Sequence, residues 1–222
     1  RCIFLQEIFE TEAKNGQFSI HHPGTVAASW GLIIFPNTTP EWLLTNAATT
    51  GIGQVTGKLQ RTFWSPQQDM TARKLSAIAA LALDGKATPA LLDSLDIDPV
   101  RWPTHSVLDW LTVLEHVQVP GRAQRQQEAW HILRNRLAYQ GTQVGFSTDA
   151  QDYWWWLMQG PDVNAARLLL ATIGQAEWDA ERPRLVTGLL ARQKSGAWAT
   201  TTANLWAGLA LRQFSSTYER DP

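Results

Sequence analysis

The side chains of this chain that could do chemistry are few and scattered. Asp149 and Asp152 stand three residues apart, about one helical turn, which is the spacing of a paired-carboxylate acid–base site. Acids placed there also suit a helix start, where they meet the positive end of the macrodipole, and that reading is adopted. Asp96-Ile97-Asp98-Pro99 holds the nearest other acidic pair, and Pro99 places it in a loop or at a helix start. His21 and His22 are adjacent, so on a regular helix their side chains diverge and would not share a metal ion. His105, His116 and His131 are isolated, and no His-x-x-x-His or His-x-x-Glu-His spacing occurs. No Gly-x-Ser-x-Gly elbow is found, which leaves open only Ser/His/Asp arrangements assembled across the fold. The lone cysteine, Cys2, allows neither an internal disulfide nor a cysteine-based metal cluster. These residues predict no catalytic, cofactor or metal site, hence a chain that is not an enzyme.

Other side chains invite a ligand reading and a plainer one. Trp154-Trp155-Trp156 would make an aromatic platform if the three rings shared a face. Consecutive helical residues point about 100° apart, so core filling is the expectation. Arg122, Arg125, Arg134 and Arg136 could dock an acidic partner, but are read as a solvated outer face. Asn164, Arg167 and Asn204 sit in otherwise apolar stretches, and once buried they need partners, so a structural role is expected.

The 222 residues suffice for one large domain that buries about 70% of the surface its unfolded chain exposes. Twelve tryptophans demand a core with wide gaps or an aromatic-lined surface. With 19 basic and 20 acidic residues the net charge is −1, which carries no footprint for nucleic acid. No apolar run approaches the ~20 residues of a membrane span. The long uncharged stretch from Gln17 to Pro40 is interrupted by His, Pro and Gly. Because the first residue is Arg, the sequence is expected to be a piece of a longer, multidomain chain.

The elements that must position these residues announce themselves through a recurring junction, an aromatic followed by a Ser, Thr or small residue and then a helix. It reads Gln17-Phe18-Ser19, Phe63-Trp64-Ser65-Pro66, Trp102-Pro103-Thr104, Phe146-Ser147-Thr148 and Trp198-Ala199-Thr200. Its aromatics Phe18, Trp64, Trp102, Phe146 and Trp198 are 46, 38, 44 and 52 residues apart, intervals that suit repeated helical hairpins. The Ser or Thr of each junction is placed to cap the next helix. Ser65-Pro66-Gln67-Gln68 and Thr148-Asp149-Ala150-Gln151 read as capping boxes. The predicted helices span 2–13, 24–35, 40–48, 66–83, 88–95, 105–117, 121–138, 149–158, 162–173, 182–193 and 200–213, with weak strand signals and a loop or irregular helix end at Gly51 to Gly57. Leu75–Leu83 and Ala203–Phe214 are apolar nearly all round and read as buried inner helices, whereas 122–139 and 184–193 carry polar outer faces. The expected fold is all-α: residues 1–222 form a single α/α toroid of helical hairpins, possibly incomplete, with an open solenoid as the competing arrangement.

From about Arg122 to Glu219 the sequence resembles the thioester-domain region of large bacterial α2-macroglobulin-like proteins. The matching segments are Arg136–Thr142, Phe146-Ser147, Asp152–Met158, Asp162–Leu168, Pro183–Val186, Ala191–Gln193 and Gly196–Trp206. The structural signature they carry comprises Trp154, Trp155, Asn164, Arg167, Trp198, Asn204 and Trp206. The resemblance implies an α/α toroid in a periplasmic or cell-envelope endopeptidase inhibitor. Its partners would be neighbouring domains of the same parent chain and, for the whole protein, target proteases, without nucleic acid, membrane insertion or cofactor. Many members of the family tether proteases through a Cys-x-x-Gln thioester. Here Cys2 is followed by Ile3-Phe4-Leu5 and Gln6 falls one position too late, so the motif lies upstream of Arg1 or the chain is a thioester-free member. The Gln193-x-x-Gly196-x-Trp198 junction is also similar to the structural repeat motif of terpene cyclases, whose spacing is one residue longer. The expected function is therefore a non-catalytic domain of a protease trap. The alternatives are a toroid enzyme such as a glycosidase or cyclase, or a plain protein-interaction scaffold.

Overall fold

The computed structural model describes residues 69–219. The helices expected at 2–13, 24–35 and 40–48, the irregular stretch at Gly51–Gly57, the junctions at Phe18 and Trp64, and Cys2, His21 and His22 lie outside the described residues. Within them the chain is mostly helical: α1 (Met70–Leu83), α2 (Thr104–His116), α3 (Arg122–Asn135), a hairpin of β1 (Leu137–Gln140) and β2 (Gln143–Phe146), α4 (Pro161–Thr172), α5 (Arg182–Ala191) and α6 (Thr201–Tyr218). No helix among the described residues is long and apolar enough to cross a membrane.

The chain divides into two compact units. The described part of the first is residues 69–98 and 109–126, and that of the second is 99–108 and 127–219. In the first unit, α1 buries Leu75 and the run Ala77 to Ala82, as expected of an inner helix. A Schellman turn ends α1: Lys86 N–H donates to Leu81 O at 2.9 Å and Gly85 N–H to Ala82 O at 3.0 Å. Gly85 takes the left-handed φ of +70° that this turn requires. At its start the buried Asp69 and Arg73 pair at 2.8 Å. The stretch expected as a helix at 88–95 is a 3₁₀ turn, Pro89–Ser94.

In the second unit α4 packs against α6 and α5, and α5 packs on β2. Ala165 and Ala166 on α4 and Ala203, Ala207 and Ala210 on α6 are all buried. Small side chains at these positions let helices approach closely. The C-terminal end of α4 is held by Arg182, which is 4% exposed. Its guanidinium donates to Thr172 O at 2.8 Å and Gln175 O at 2.7 Å, placing a cation where helix carbonyls lack partners. The same guanidinium lies 4.5 Å from the Tyr218 ring, and Tyr218 Oη accepts from Gly174 N–H at 2.8 Å, tying the end of α6 to the end of α4.

Three expectations fail here for physical reasons. The helix read as 121–138 stops at Asn135, and the chain enters an antiparallel hairpin pairing Leu137 with Phe146. Gln143-Val144-Gly145-Phe146 does alternate, with Val144 and Phe146 buried, and Gly141 at φ +60° opens the two-residue turn. The helix read as 149–158 is a set of turns and a three-residue 3₁₀ helix, Trp155–Leu157. The Thr148 box does not start a helix because Asp152 is captured by Thr104, at the start of α2, as described below. Finally, α6 is not apolar-buried on every side, since Leu205 and Leu209 remain 37% and 42% exposed.

Candidate functional site

The residues around Asp152 explain the irregular stretch. Asp152 is buried, and its carboxylate accepts from Thr104 N–H at 3.0 Å, from the Thr104 hydroxyl, and from the Thr148 hydroxyl at 2.6 Å. Arg136 closes the group, donating to Thr104 Oγ1 at 3.1 Å and to Trp102 O at 2.8 Å. Asp152 therefore anchors the start of α2 to the turn after β2. The two carboxylates have different partners, Asp152 with Thr104 and Thr148 and Asp149 with Arg192, although the Asp152 charge still acts on Asp149.

The signature residues fall into two groups. Trp154 meets the buried His105 edge to face, with centroids 5.2 Å apart. Arg167 donates to His105 O at 3.5 Å and its guanidinium lies 5.2 Å from the Trp206 ring. Burial first, then the Arg167 charge, lowers the His105 pKa to about 3, so the imidazole is neutral near pH 7. Neither of its ring nitrogens has a hydrogen-bond partner among the described residues. Asn164 on α4 is fully buried, and the partner expected for its amide is missing. The same helical face that buries Leu168 four residues on carries it into the core.

Trp198 and Asn204 form the second group. Asn204 Oδ1 accepts from Trp198 N–H at 3.1 Å, while its Nδ2 donates to Trp198 O at 2.8 Å and Thr200 O at 2.7 Å. Trp198 Nε1 donates to Leu189 O at 2.9 Å. Thr200 caps α6, its hydroxyl accepting from Ala203 N–H at 3.1 Å. Trp155 joins neither group, being 54% exposed, so Trp154 is buried as core filling requires and Trp155 is not. In the basic group Arg134 is exposed, as expected of an outer face, and Arg122, Arg125 and Arg136 are half-buried. Arg134 lies 4.6 Å from the Trp178 ring and donates to Glu177 O at 3.0 Å.

A groove of about 700 Å³ opens in the second unit, where the turn after β2 and the starts of α4 and α6 come together. Arg192, just past α5, pairs with Asp149 and lies 3.5 Å from Asp162 Oδ1. Asp162 in the first turn of α4 also accepts from Ala199 N–H at 3.5 Å. Burial is the largest cause raising the Asp149 pKa; Asp152 and Asp162 add to it, and Arg192 opposes it. Gly145 leaves room for this arrangement, because a Cβ there would lie 2.9 Å from Arg192 Nη2. Tyr153 and Trp155 line the groove and are 58% and 54% exposed. Sequence reasoning missed Tyr153, Asp162 and Arg192 as a set. The only local signals were an acid following Gly160-Pro161 and an Arg following an apolar helix.

Arg192 thus engages both carboxylates of the groove, while the Asp149 pKa stays raised and its Oδ1 has no hydrogen-bond partner among the described residues. Among the described residues no group of three His, Cys, Asp or Glu side chains could hold a metal. Asp96 and Asp98 lie in the first unit, and His116 and His131 each engage their own helix, at Thr112 O and Asn135. In comparisons with known proteins, no family model, no curated protein and no solved structure matches this chain.

Proposed function

We propose that this chain is a non-catalytic helical domain of a bacterial α2-macroglobulin-like endopeptidase inhibitor, acting in the periplasm or cell envelope, and that its hairpins belong to an α/α toroid. The observation that carries the reading is the way the resembling segments serve as joints. Gly196–Trp206 contains the Trp198–Asn204 lock, and Asp152–Met158 and Asp162–Leu168 contribute Trp154 and Arg167 to the cluster around His105. Such joints suit a domain whose task is to hold a shape against neighbouring domains and shift when a protease cuts a bait segment elsewhere in the parent chain. A toroid glycosidase or cyclase is the second reading: the raised pKa of Asp149 favours it, and the engagement of Asp149 and Asp162 by Arg192 weighs against it.

The test is inhibition of a panel of endopeptidases by the full parent chain and by the isolated 222 residues. Inhibition by the parent alone is expected. Stoichiometric inhibition by the isolated chain, or none by the parent, would overturn the proposal.

A further inference from the structure

The geometry points to a second role for the second unit: the groove between the turn after β2 and the starts of α4 and α6 binds a neutral oligosaccharide. Its volume of about 700 Å³ falls within the range of small-molecule sites. Two large aromatic side chains line it and are exposed, as Tyr139 and Tyr218 are elsewhere in the unit. Trp154, Trp178 and Trp206 are buried, whereas Tyr153 and Trp155 present more than half of their surface to solvent at the groove. Large exposed aromatics beside polar groups are the composition of a ligand surface. The apolar C–H faces of a pyranose ring would cover such rings and leave its hydroxyls free for the walls.

The polar lining selects for charge and hydrogen-bonding type. Asp149 and Asp162 balance Arg192 and Lys194, so neither an anionic nor a cationic ligand is favoured. α4 starts at Gly160 without a side-chain cap, so the first-turn N–H groups of Asp162 and Val163 have no side-chain acceptor from the cap. Thr201 and Thr202 add hydroxyls. On the acceptor side are the carboxylates of Asp149 and Asp162; the Oε1 of Gln159, which has no partner among the described residues, is itself covered. Only a ligand whose groups both donate and accept, as sugar hydroxyls do, meets this whole lining. A peptide would more naturally add to a strand edge, and no strand lines this groove.

The experiment is titration of the 222-residue chain with chitotriose, cellotriose and maltotriose, followed by calorimetry and by NMR. The acidic sialyllactose and an unstructured neutral hexapeptide serve as comparison probes. Saturable binding of at least one neutral trisaccharide is expected, weakened about tenfold or more in both Trp155→Ala and Tyr153→Ala. Both side chains are exposed, and circular dichroism checks that each variant keeps its fold. The inference fails if no neutral trisaccharide binds at millimolar concentration. It fails equally if binding survives both substitutions, or if the hexapeptide or sialyllactose binds more tightly than the neutral sugars. None of these outcomes depends on protease inhibition.

Discussion

Asn204 grips Trp198 by both of its main-chain polar groups, accepting from the N–H at 3.1 Å and donating to the carbonyl at 2.8 Å. One side chain in the first turn of α6 thus dictates the path of the loop that enters that helix. Replacing it with Leu removes three hydrogen bonds and leaves the partly buried Trp198 groups unpaired. Asn204→Leu is expected to lose about 2–3 kcal/mol in urea unfolding. Asn204→Asp should also lose stability, because a carboxylate cannot donate to the Trp198 and Thr200 carbonyls. A Leu variant as stable as the parent sequence would remove the structural role assigned here.

Two glycines in helices should respond oppositely to alanine. A Cβ on Gly188 of α5 would overlap the Val144 carbonyl oxygen and sit 3.1 Å from both Val144 C and N, all backbone atoms of β2 that cannot swing aside. Gly188→Ala is expected to cost about 2 kcal/mol or more by pushing the hairpin off α5. Gly208 in α6 has nothing among the described residues within 4 Å of such a Cβ. Gly208→Ala should stabilise by about 0.5–1 kcal/mol through helix propensity. Thermal unfolding of the pair decides the matter, and equal shifts would contradict the contact between α5 and β2.

His105 should make the fold acid-sensitive. Its pKa falls from 6.5 to about 3 on folding, so the unfolded chain takes up the proton first. The stability it contributes is present above pH 6.5 and is lost as pH falls toward 3, approaching about 1.4 kcal/mol per pH unit within that window. Asp149 acts in the opposite sense. With its pKa raised, its contribution is present below the unfolded value of 3.8 and is lost as pH rises through the folded value. His105→Phe isolates the first effect while keeping an aromatic ring against Trp154. Its denaturation midpoint should vary less across the acid window, with little loss at pH 7.5, because neither ring nitrogen has a partner to lose among the described residues. An unchanged acid slope would rule out His105 as the source.

Arg192 keeps two carboxylates apart by holding both. In Arg192→Met, Asp149 and Asp162 lose their shared cation, and the Asp149 pKa should rise further by loss of the one influence that lowers it. The variant is expected to be destabilised by about 1–2 kcal/mol at neutral pH, with part of that loss recovered where the carboxyls are protonated. Urea unfolding at both pH values tests this, and an equal loss at both would mean that Arg192 acts through packing and not charge.

What the sequence determined alone is whatever depends on near neighbours. The apolar face of α1, the Gly160-Pro161 start of α4, and the Trp198–Thr200 junction with its cap on α6 could each be read from residues within a turn or two of one another. Tertiary structure decided the rest. Leu133 and Leu137 share a helical period, yet the helix ends at Asn135 because Val144 and Phe146 gain a buried place against α5 only as strand. Thr148 to Gln151 has the form of a helix start, but Asp152 bonds to Thr104, 48 residues earlier, and the turn stays open. The groove follows from that open turn, since Asp149, Tyr153 and Trp155 reach it from a segment that a regular helix would have carried elsewhere. Local periodicity records which residues prefer burial. The partner that buries them, or that claims a carboxylate, stands far off in sequence and acts only once the chain has folded.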